Sequence, residues 1–527
     1  MNALESAERL LGSAAAHLRT TVGEAAVDVA QIQLYDLAMS KAELVAARAL
    51  LERAHASKDT FVRRTADAYC AEVIANLRQR LAWRPADFGL TTADLAIVDD
   101  AFVETQMSAR NLTDLGRDFV AHPEGPTRDL EDDKRIMRDT FRRFADQVVR
   151  PHAAAIHRDD SMIPAAIVDG LKALGCFGLC VPVRFGGSKP DDHDDSLGMV
   201  IATEELSRAS LGAAGSLITR PEIVARAILE GGTAAQQARW LPALAAGEPL
   251  CAVSVTEPGT GSDVASVTLR ATRIDGGWRL NGGKTWCTFA GKAGVILVLA
   301  RTDPDARPPH RGLSLFLVEK PSTDAQAFEH SAHGGTLTGR AIPTIGYRGM
   351  HSFEMFYDDV FVPNANLIGE RAGEGKGFYF TMRGFSGGRL QTAARATGVM
   401  QAAIDNSVEY AKTRTVFDRA VAEFPLTLAK FARMGMYVTA CRNLAYDVAQ
   451  SMDRGGGQVE ASLAKLLACR LAEWVCREAM QIHGGLGYAE ESDVSRYYVD
   501  ARVLSIFEGA EETLALRVIG KSLLETA

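Results

Sequence analysis

The sequence lacks the features that mark several large classes of protein. Its eight cysteines are spread over 527 residues without a Cys-x-x-Cys pair, which argues against a disulfide-rich scaffold. The formal net charge of -8 argues against a general nucleic-acid-binding protein. We therefore expect a reduced, cytoplasmic protein with no nucleic-acid partner.

Targeting and membrane-spanning patterns are also missing. The chain begins with Glu5, Glu8 and Arg9 among its first residues, whereas a signal peptide begins with a basic segment followed by an apolar one. The most apolar run, at residues 293–300, is too short to span a bilayer. We expect no transmembrane segment.

The common sequence signatures of dinucleotide-binding and metal-binding sites are incomplete or absent. A glycine fingerprint for dinucleotides that starts at Gly373 would need glycine at Phe378, and one that starts at Gly485 would need it at Glu490. The sequence has no His-Glu-x-x-His, and we predict no metal site. Any nucleotide must therefore be bound by a different type of loop.

One hydrolase-like signature is present, with Ser386 at the centre of Gly-x-Ser-x-Gly. A serine hydrolase would need a strand before this serine and a catalytic histidine after it. Only His483 follows, and the surrounding pattern is helical. We interpret the signature as a turn that leads into a helix, and His483 as structural.

Hydrophobic spacing predicts an α+β fold in four segments. These are an N-terminal helical extension at 1–121, a helical domain at 122–248, a β domain at 249–367 and a C-terminal helical bundle at 368–527. The order of helices, strands and helices favours segregated α+β structure over a wound parallel sheet.

Particular residues set these predictions. Leu37, Leu44 and Leu51 recur at helical spacing, whereas Val267, Leu269 and Ala271 alternate with polar residues as in a half-buried strand. We expect Pro151 to end the helix that starts near residue 134.

A glycine-rich loop, "VTEPGTGSD" at residues 255–263, lies near the start of the β domain. Thr256, Gly261 and Ser262 would give it many backbone N–H and hydroxyl donors, which suits an anionic or heteroaromatic ligand. Alone, the loop would be interpreted as an ordinary surface turn.

Trp286 and Thr288 lie two apart in the strand-like stretch "NGGKTWCTFAG". In a regular strand both would face the same side. A tryptophan and a hydroxyl on one face could stack on a planar ring and bind its edge. The alternative is a tryptophan in the core of the sheet.

Glu508 lies between an apolar run and Gly509 in "LSIFEGAEETL", Leu504 to Leu514. It could cap the next helix, with Glu511 and Glu512 extending an acidic first turn. It could also be a base in a dry pocket, because glycine lets a ligand approach the backbone. The local sequence favours the first interpretation.

Five short stretches together resemble the acyl-CoA dehydrogenase family. They are "VTEPGTGSD", "NGGKTWCTFAG", "RTVF", "QIHGGLGY" and "IFEG", in that order and at family-like spacing, within residues 125–527. The resemblance implies an N-terminal helical domain, a middle β domain and a C-terminal four-helix bundle, which agrees with the predicted order of segments.

The resemblance also implies a role for each matched residue. Glu508 would be the base that removes a proton beside a thioester while the next carbon gives hydride to FAD, and we expect burial beside Ile506 and Phe507 to raise its proton affinity. The residues implied to contact FAD are Val255, Thr256, Gly261, Ser262, Trp286, Thr288, Arg414, Phe417, Gln481 and Gly485. Those implied to contact the acyl-CoA are Ser262, Arg389 and Gly509.

The family resemblance implies partners as well. Arg414 and Phe417 would reach FAD from a neighbouring subunit, so we expect a homodimer or homotetramer, with electron-transfer flavoprotein as the acceptor. The long extension, "GGRLQTAARA" and "SRYYVDARVLSIFEGAEETL" resemble family members that act on methylsuccinyl-CoA, which implies a short, branched acyl-CoA as substrate. The second carboxylate of methylsuccinyl-CoA would need a cation or polar donors, and Arg348 and Arg383 are candidates. An acyl-CoA oxidase, a dehydrogenase of another short acyl-CoA and a non-catalytic homologue remain alternatives.

The chain departs from the family pattern at three positions. Asp418 stands where the family usually has glycine, Pro425 where a glutamine often contacts FAD, and Ala510 where threonine usually follows the Glu-Gly pair. These changes affect the expected contacts at the adenine end of FAD and leave the base in place.

Overall fold

The structure is a computed structural model that describes residues 2–97, 99–126 and 128–526. Contacts form two compact units, residues 1–137 with 392–527 and residues 138–391. Within the described ranges, no helix has both the length and the apolar character needed to cross a bilayer. The predicted segment boundaries at residues 121, 248 and 367 stay a prediction.

Helices dominate both ends of the chain. The α-helices, in chain order, are α1 (Asn2–Thr21), α2 (Ala26–Val29), α3 (Gln31–Ala56), α4 (Thr60–Ala82), α5 (Asp100–Gln106), α6 (Ala109–Ala121), α7 (Asp132–Phe144), α8 (Arg150–Asp159), α9 (Ala165–Ala173), α10 (Ser196–Ala209), α11 (Thr219–Gly231), α12 (Ala234–Ala246), α13 (Glu370–Gly373), α14 (Gly377–Thr413), α15 (Pro425–Asp453), α16 (Gln458–His483), α17 (Asp493–Leu504), α18 (Glu511–Thr513) and α19 (Lys521–Thr526). The division between the units falls within α7 and within α14.

In the first unit, the N-terminal extension shares a core with the C-terminal helices. Leu37, Leu44 and Leu51 are buried in α3, as their spacing predicts. Helices α6 and α15 approach closely at Gly116, where an added Cβ would lie 2.1 Å from the carbonyl oxygen of Leu428. The extension is therefore packed against the bundle rather than attached to it by a tether.

A buried polar contact joins the same two regions. The carboxylate of Glu72, in α4, accepts hydrogen bonds from Nε and Nη2 of Arg433, each at 3.0 Å, and from the hydroxyl of Tyr437. Because Glu72 is buried, these partners offset the cost of removing its charge from water.

The helix that contains Pro151 corrects one prediction. Pro151 does not end a helix; it lies in the first turn of α8, which continues to Asp159. A π-helical turn at Ala145–Val149 joins α7 to α8. Proline lacks an N–H, and the wider turn just before it accommodates the missing hydrogen bond.

The second unit contains the predicted β domain. Its strands are β1 (Cys251–Ser254), β2 (Arg270–Ile274), β3 (Gly277–Thr288), β4 (Val295–Arg301), β5 (Leu313–Glu319), β6 (Ala327–Ala332), β7 (Gly335–Ala341) and β8 (Ser352–Pro363). The sheet order is β1-β4-β2-β3-β8-β7-β6, and β5 pairs with β4. Most pairs are antiparallel, whereas β1 and β2 are parallel to β4.

Alternation predicts the buried face of this sheet. Val267, Leu269 and Ala271 are all buried, but only Ala271 lies in a strand, because β2 begins at Arg270. Strand β2 turns into β3 through Asp275 and Gly276, where Gly276 has a φ of 77°. A left-handed backbone at this position favours glycine. Two short strands in the first unit, β9 (Thr415–Val416) and β10 (Arg419–Ala420), form a separate hairpin.

Candidate active site

The predicted site residues fall into two groups, one in each unit. Those in the second unit are Val255, Thr256, Gly261, Ser262, Trp286, Thr288 and Arg389. Those in the first unit are Arg414, Phe417, Gln481, Gly485, Glu508 and Gly509.

The loop at residues 255–263 is held by backbone hydrogen bonds at its base. Glu257 and Thr260 exchange N–H···O bonds of 2.9 and 3.0 Å, and the N–H of Thr285 donates to the carbonyl of Thr256 at 2.9 Å. Beyond this base, Gly261 and Ser262 are exposed and Thr256 is half-buried. The loop therefore has a fixed base and an accessible tip.

A buried charge pair fixes the same loop from beneath. The ammonium of Lys284, fully buried in β3, donates to the carbonyl of Val255 at 2.7 Å and to the carboxylate of Glu257 at 2.9 Å. That carboxylate also accepts from the backbone N–H groups of Thr268 and Leu269, each at 2.7 Å. Sequence reasoning missed this pair.

The surroundings of Lys284 and Glu257 shift the pKa of each group. Burial lowers the pKa of Lys284 to about 8, although the neighbouring Glu257 carboxylate opposes the shift. For Glu257, burial alone would raise the pKa, but the Lys284 ammonium and the N–H of Leu269 outweigh it and hold the pKa below its ordinary value. Both groups are therefore charged at neutral pH, and each depends on the other.

Trp286 lies where β3 departs from regular geometry. Register with β8 shifts between Lys284 and Cys287, and Trp286 has a φ of 57°. Its indole is 55% exposed, whereas Thr288 is buried, with Oγ1 2.9 Å from Oγ of Ser352. The prediction that Trp286 and Thr288 share one face assumed a regular strand, so alternation does not describe this position. Trp286 is not in the core of the sheet.

Arg414 and Phe417 belong to the hairpin of β9 and β10. Arg414 follows the end of α14, and the side chain of Phe417 is 90% exposed at the tip. Phe417 and Asp418 form a two-residue turn with φ values of 49° and 60°. Both central residues of such a turn are left-handed, and aspartate tolerates that conformation better than most residues do. Asp418 is thus compatible with a turn that the family usually builds with glycine.

Gln481 and Gly485 lie at the end of α16 and in the turn after it, and both are exposed. His483, between them, is buried and stacks on Tyr410, with ring centroids 4.4 Å apart. Burial lowers the pKa of His483, and its Nδ1 lies 2.8 Å from the carbonyl oxygen of Ala479. These contacts favour the structural interpretation of His483.

Glu508 lies in a turn rather than at the cap of a helix. Helix α17 ends at Leu504 and α18 begins at Glu511; we call residues 505–510 the base turn. Glu508 has a φ of 54° and Gly509 a φ of 100°. A left-handed glutamate is uncommon, and backbone of this kind is enriched in turns and at functional sites.

The surroundings of Glu508 differ from the predicted apolar pocket. Glu508 and Phe507 are half-buried, and Ile506 is 54% exposed. The expected burial of the carboxylate beside Ile506 and Phe507 is therefore only partial within this chain. Ile506 points away because the turn interrupts the helical pattern that made it look like a core residue.

Two buried cations lie behind the base turn, and sequence reasoning missed both. The ammonium of Lys465, fully buried in α16, donates to the carbonyl of Gly509 at 2.6 Å. The guanidinium carbon of Arg395, buried in α14, lies 4.9 Å from the ring centroid of Phe507. A signal was present, since each charge interrupts a run of small or apolar residues, "SLAKLLAC" and "TAARATGV".

The three arginines that were predicted to contact the acyl-CoA, Arg389, Arg383 and Arg348, lie in different surroundings from one another. Arg389 is half-buried in α14. Arg383 is exposed and pairs with Glu230 at 2.8 Å. Arg348 donates to the carbonyls of Thr344 and His157 at 3.1 and 2.6 Å. The alternative that Arg383 and Arg348 are structural is therefore favoured.

Comparisons with known proteins agree with this arrangement. Domain descriptions of one family match the chain: "Acyl-CoA dehydrogenase, N-terminal domain" at residues 131–248, the middle domain at 252–360 and the C-terminal domain at 375–524. The chain is 45% identical to a (2S)-methylsuccinyl-CoA dehydrogenase of Cereibacter sphaeroides, over 75% of this chain and 70% of that protein. The chain belongs to the acyl-CoA dehydrogenase family.

Solved structures of acyl-CoA dehydrogenases are similar in fold. Butyryl-CoA dehydrogenase of Megasphaera elsdenii is 32% identical, with a TM-score of 0.68 over 76% of this chain and all of that one. A glutaryl-coenzyme A dehydrogenase in complex with glutaryl-CoA is 27% identical, with a TM-score of 0.68 over 76% of this chain and 98% of that one. The protein is thus an oxidoreductase with an N-terminal helical domain, a middle β domain and a C-terminal helical bundle.

Acyl-CoA dehydrogenases use FAD, and the residues present fit that cofactor. An added Cβ at Gly259 or Gly485 would meet no atom within 4 Å, and one at Gly261 only Cγ2 of Thr256 at 3.9 Å. None of these glycines is left-handed, so neither the backbone nor a neighbour in this chain requires glycine there. Glycine leaves the backbone N–H groups open to a ligand, and the exposed indole of Trp286 offers a flat apolar surface.

Proposed function

We propose that this acyl-CoA dehydrogenase removes hydrogen from the α and β carbons of a short, branched acyl-CoA, with Glu508 as the base. Methylsuccinyl-CoA, which would become mesaconyl-CoA, is the proposed substrate. The observation that carries the proposal is the base turn, where a half-buried carboxylate is held in a left-handed backbone next to a glycine. The similarity to a (2S)-methylsuccinyl-CoA dehydrogenase supports the choice of substrate.

The proposed mechanism assigns one task to each group. The carboxylate of Glu508 takes the proton from the carbon beside the thioester. The backbone N–H of Glu508 binds the thioester oxygen, where negative charge develops. The acceptor for the hydride of the β carbon would be supplied by FAD. Thr256, Ser262 and Trp286 would hold FAD, and Gly509 lets the thioester approach.

Recognition of a second carboxylate needs a buried positive charge, because an unpaired anion in a dry pocket is costly. Arg395 meets that need better than Arg348 or Arg383, since it is fully buried and its guanidinium lies against Phe507, the neighbour of the proposed base. A planar guanidinium can also bind a carboxylate through two parallel hydrogen bonds. We therefore assign Arg395 to the distal carboxylate.

A panel of thioesters tests the substrate. Methylsuccinyl-CoA, butyryl-CoA and isobutyryl-CoA are compared at matched concentration by the rate at which they bleach the flavin. We expect methylsuccinyl-CoA to react fastest, and Arg395→Met to slow it more than it slows butyryl-CoA. Faster reaction of butyryl-CoA or isobutyryl-CoA in the parent protein would refute the dicarboxylate and leave Glu508 as the base. A protein that binds FAD but is bleached by no thioester would be a non-catalytic homologue.

The electron acceptor follows from a second assay. We propose electron-transfer flavoprotein and a cytoplasmic location. Turnover with an artificial acceptor in the absence of oxygen is expected, with little hydrogen peroxide formed in air. Oxygen-dependent turnover that releases one hydrogen peroxide per enoyl-CoA would instead identify an acyl-CoA oxidase.

A homo-oligomer is proposed from the hairpin of β9 and β10. Its tip exposes nearly the whole side chain of Phe417, and Arg414 at its base is also exposed. A large apolar side chain at such a tip fits a neighbouring subunit or its cofactor. Arg414→Ala should weaken FAD retention on dilution, whereas Arg419→Ala on the same hairpin should not. Equal retention in all three proteins at nanomolar concentration would contradict this assignment.

A further inference from the structure

A residue of the N-terminal extension reaches the base turn. The hydroxyl of Tyr35, in α3, donates to Oε1 of Glu511, the residue that follows the base turn and starts α18. Tyr35 lies outside the stretches that match the acyl-CoA dehydrogenase domains, which begin at residue 131. The contact thus joins a part of the chain with no assigned role to the segment that contains the proposed base.

Glu511 closes the base turn. Its backbone N–H donates to the carbonyl of Ser505 at 3.1 Å, so the two ends of the turn are bonded to each other. Its side chain is buried, and besides Tyr35 it has Nη1 of Arg470 at 3.4 Å. A buried carboxylate needs such partners, because without them it would turn toward water. A change in the position of Glu511 would therefore move the turn.

The base turn is also held from its other side. The ammonium of Lys465 bonds the carbonyl of Gly509 at 2.6 Å, and Oγ of Ser505 donates to Glu473 at 2.7 Å. Burial lowers the pKa of Lys465, and the carboxylates of Glu508 and Glu511 act in the opposite direction. Of these contacts, the one from Tyr35 is supplied by the extension.

Tyr35 is a stable donor in this contact. Burial raises the pKa of its phenol, and the hydrogen bond to Glu511 raises it further. The hydroxyl therefore keeps its proton throughout the neutral range, and the contact does not depend on a charge on Tyr35.

We propose that Tyr35 is a positioning residue for the proposed dehydrogenation: by holding Glu511, it fixes the base turn and aligns the carboxylate of Glu508 with the substrate. The N-terminal extension then serves the chemical step as well as the stability of the first unit. This inference rests on the proposed role of Glu508 as the base.

A matched pair of phenylalanine variants tests the proposal in the FAD-loaded, full-length protein. Tyr35→Phe removes the hydroxyl that contacts Glu511. Tyr437→Phe removes a hydroxyl that contacts another buried carboxylate, Glu72, between the same two regions but away from the base turn. Each variant removes one hydrogen bond to a buried carboxylate, part-buried for Tyr35 and buried for Tyr437, so both should lower the thermal unfolding midpoint, and Tyr437→Phe at least as much as Tyr35→Phe.

The two variants should differ in chemistry. We expect Tyr35→Phe to slow flavin bleaching at saturating thioester by about 3- to 10-fold, since a misplaced catalytic group lowers the rate without loss of binding. Its FAD content and half-saturating thioester concentration should stay at parent values, and the kinetic isotope effect with α-deuterated thioester should rise. Tyr437→Phe should bleach at the parent rate.

A double-mutant cycle with Glu511→Gln tests whether Tyr35 affects the bleaching rate through its contact with Glu511. If Tyr35 acts through Glu511, the double variant should be little slower than Glu511→Gln alone, and Glu511→Gln gives an independent reading should Tyr35→Phe fail to fold. Parent-like bleaching in Tyr35→Phe, or equal slowing in Tyr437→Phe, would overturn the proposal while leaving the proposed function intact. Failure of every thioester to bleach the parent protein would remove both.

Discussion

Two turns hold the proposed chemistry, and each is fixed by a buried lysine that donates to a backbone carbonyl. In the second unit, Lys284 bonds the carbonyl of Val255, at the start of the loop at residues 255–263, at 2.7 Å. In the first unit, Lys465 bonds the carbonyl of Gly509 in the base turn at 2.6 Å. The difference lies in the acidic partner, because Lys284 is paired directly with Glu257.

That difference separates the carboxylate of Glu257, which is paired with a cation, from that of Glu508, the proposed base. Glu257 is buried and accepts hydrogen bonds from Lys284 and from two backbone N–H groups, which hold the loop. Near Lys465 the ammonium bonds a carbonyl instead, so the turn is fixed without engaging the carboxylate of Glu508 in that bond. A base must be free to take a proton from substrate, and this arrangement leaves it that task.

The largest expected effect is on Glu508 itself. Glu508→Gln keeps the shape of the side chain but removes its ability to accept the proton, so turnover should fall by about 10²- to 10⁴-fold. FAD content and thioester binding should be retained, as measured by flavin absorbance and a thioester titration. Glu512→Gln, at the exposed second residue of α18, is the control. Near-normal turnover in Glu508→Gln would end its assignment as the base.

The next effect tests the structural partner. Lys284→Met leaves the carboxylate of Glu257 buried without its cation, which should lower the free energy of unfolding by about 3–5 kcal/mol. Lys320→Met is matched to it, because Lys320 is also buried but, among the described residues, donates to the carbonyls of Gly291 and Pro321 and lies 4.4 Å from the ring centroid of Phe328 instead of pairing with a carboxylate. Denaturant unfolding should show a smaller loss, about 1–3 kcal/mol, for that control. Equal losses of unfolding free energy in the two variants would mean that the unpaired carboxylate of Glu257 causes no additional destabilisation.

Lys465→Met sharpens the same comparison in the base turn. It leaves the carbonyl of Gly509 without its buried donor, at a cost of about 1–3 kcal/mol. We expect flavin bleaching to slow by about 10-fold, since the turn that contains Glu508 loses an anchor. FAD content should stay unchanged, whereas Lys284→Met should reduce it. Loss of FAD with normal bleaching of the remaining holoprotein would reverse the two assignments.

The smallest effect is a pH dependence. The pKa of Glu257 is held below its ordinary value, so its contribution is present above the unfolded-state pKa of about 4.3 and is lost as pH falls through the lower folded-state pKa. The parent protein should therefore lose more stability between about pH 5 and about pH 3 than Glu257→Gln does. Unfolding midpoints of both proteins across that range check the sign, and parallel curves would contradict it.

Local pattern was sufficient for the elements of this fold. The spacing of Leu37, Leu44 and Leu51 predicts α3, because that pattern depends on the period of one element. Alternation predicts the burial of Val267 and Leu269, although β2 begins only at Arg270. Pro151 was misplaced because a π-helical turn, which has no simple sequence signature, accommodates it.

The sequence by itself determined the family, the α+β order and the choice of Glu508, since the short motifs are contiguous in the chain. The tertiary structure decided what holds those motifs. Lys465 and Gly509 are 44 residues apart, and Tyr35 and Glu511 are 476 apart, so no local period relates them. It also decided that Trp286 is exposed by an irregularity in β3 and that Ile506 is not buried within this chain. Such contacts depend on which buried charges find partners when the chain packs, and that is a property of the whole fold.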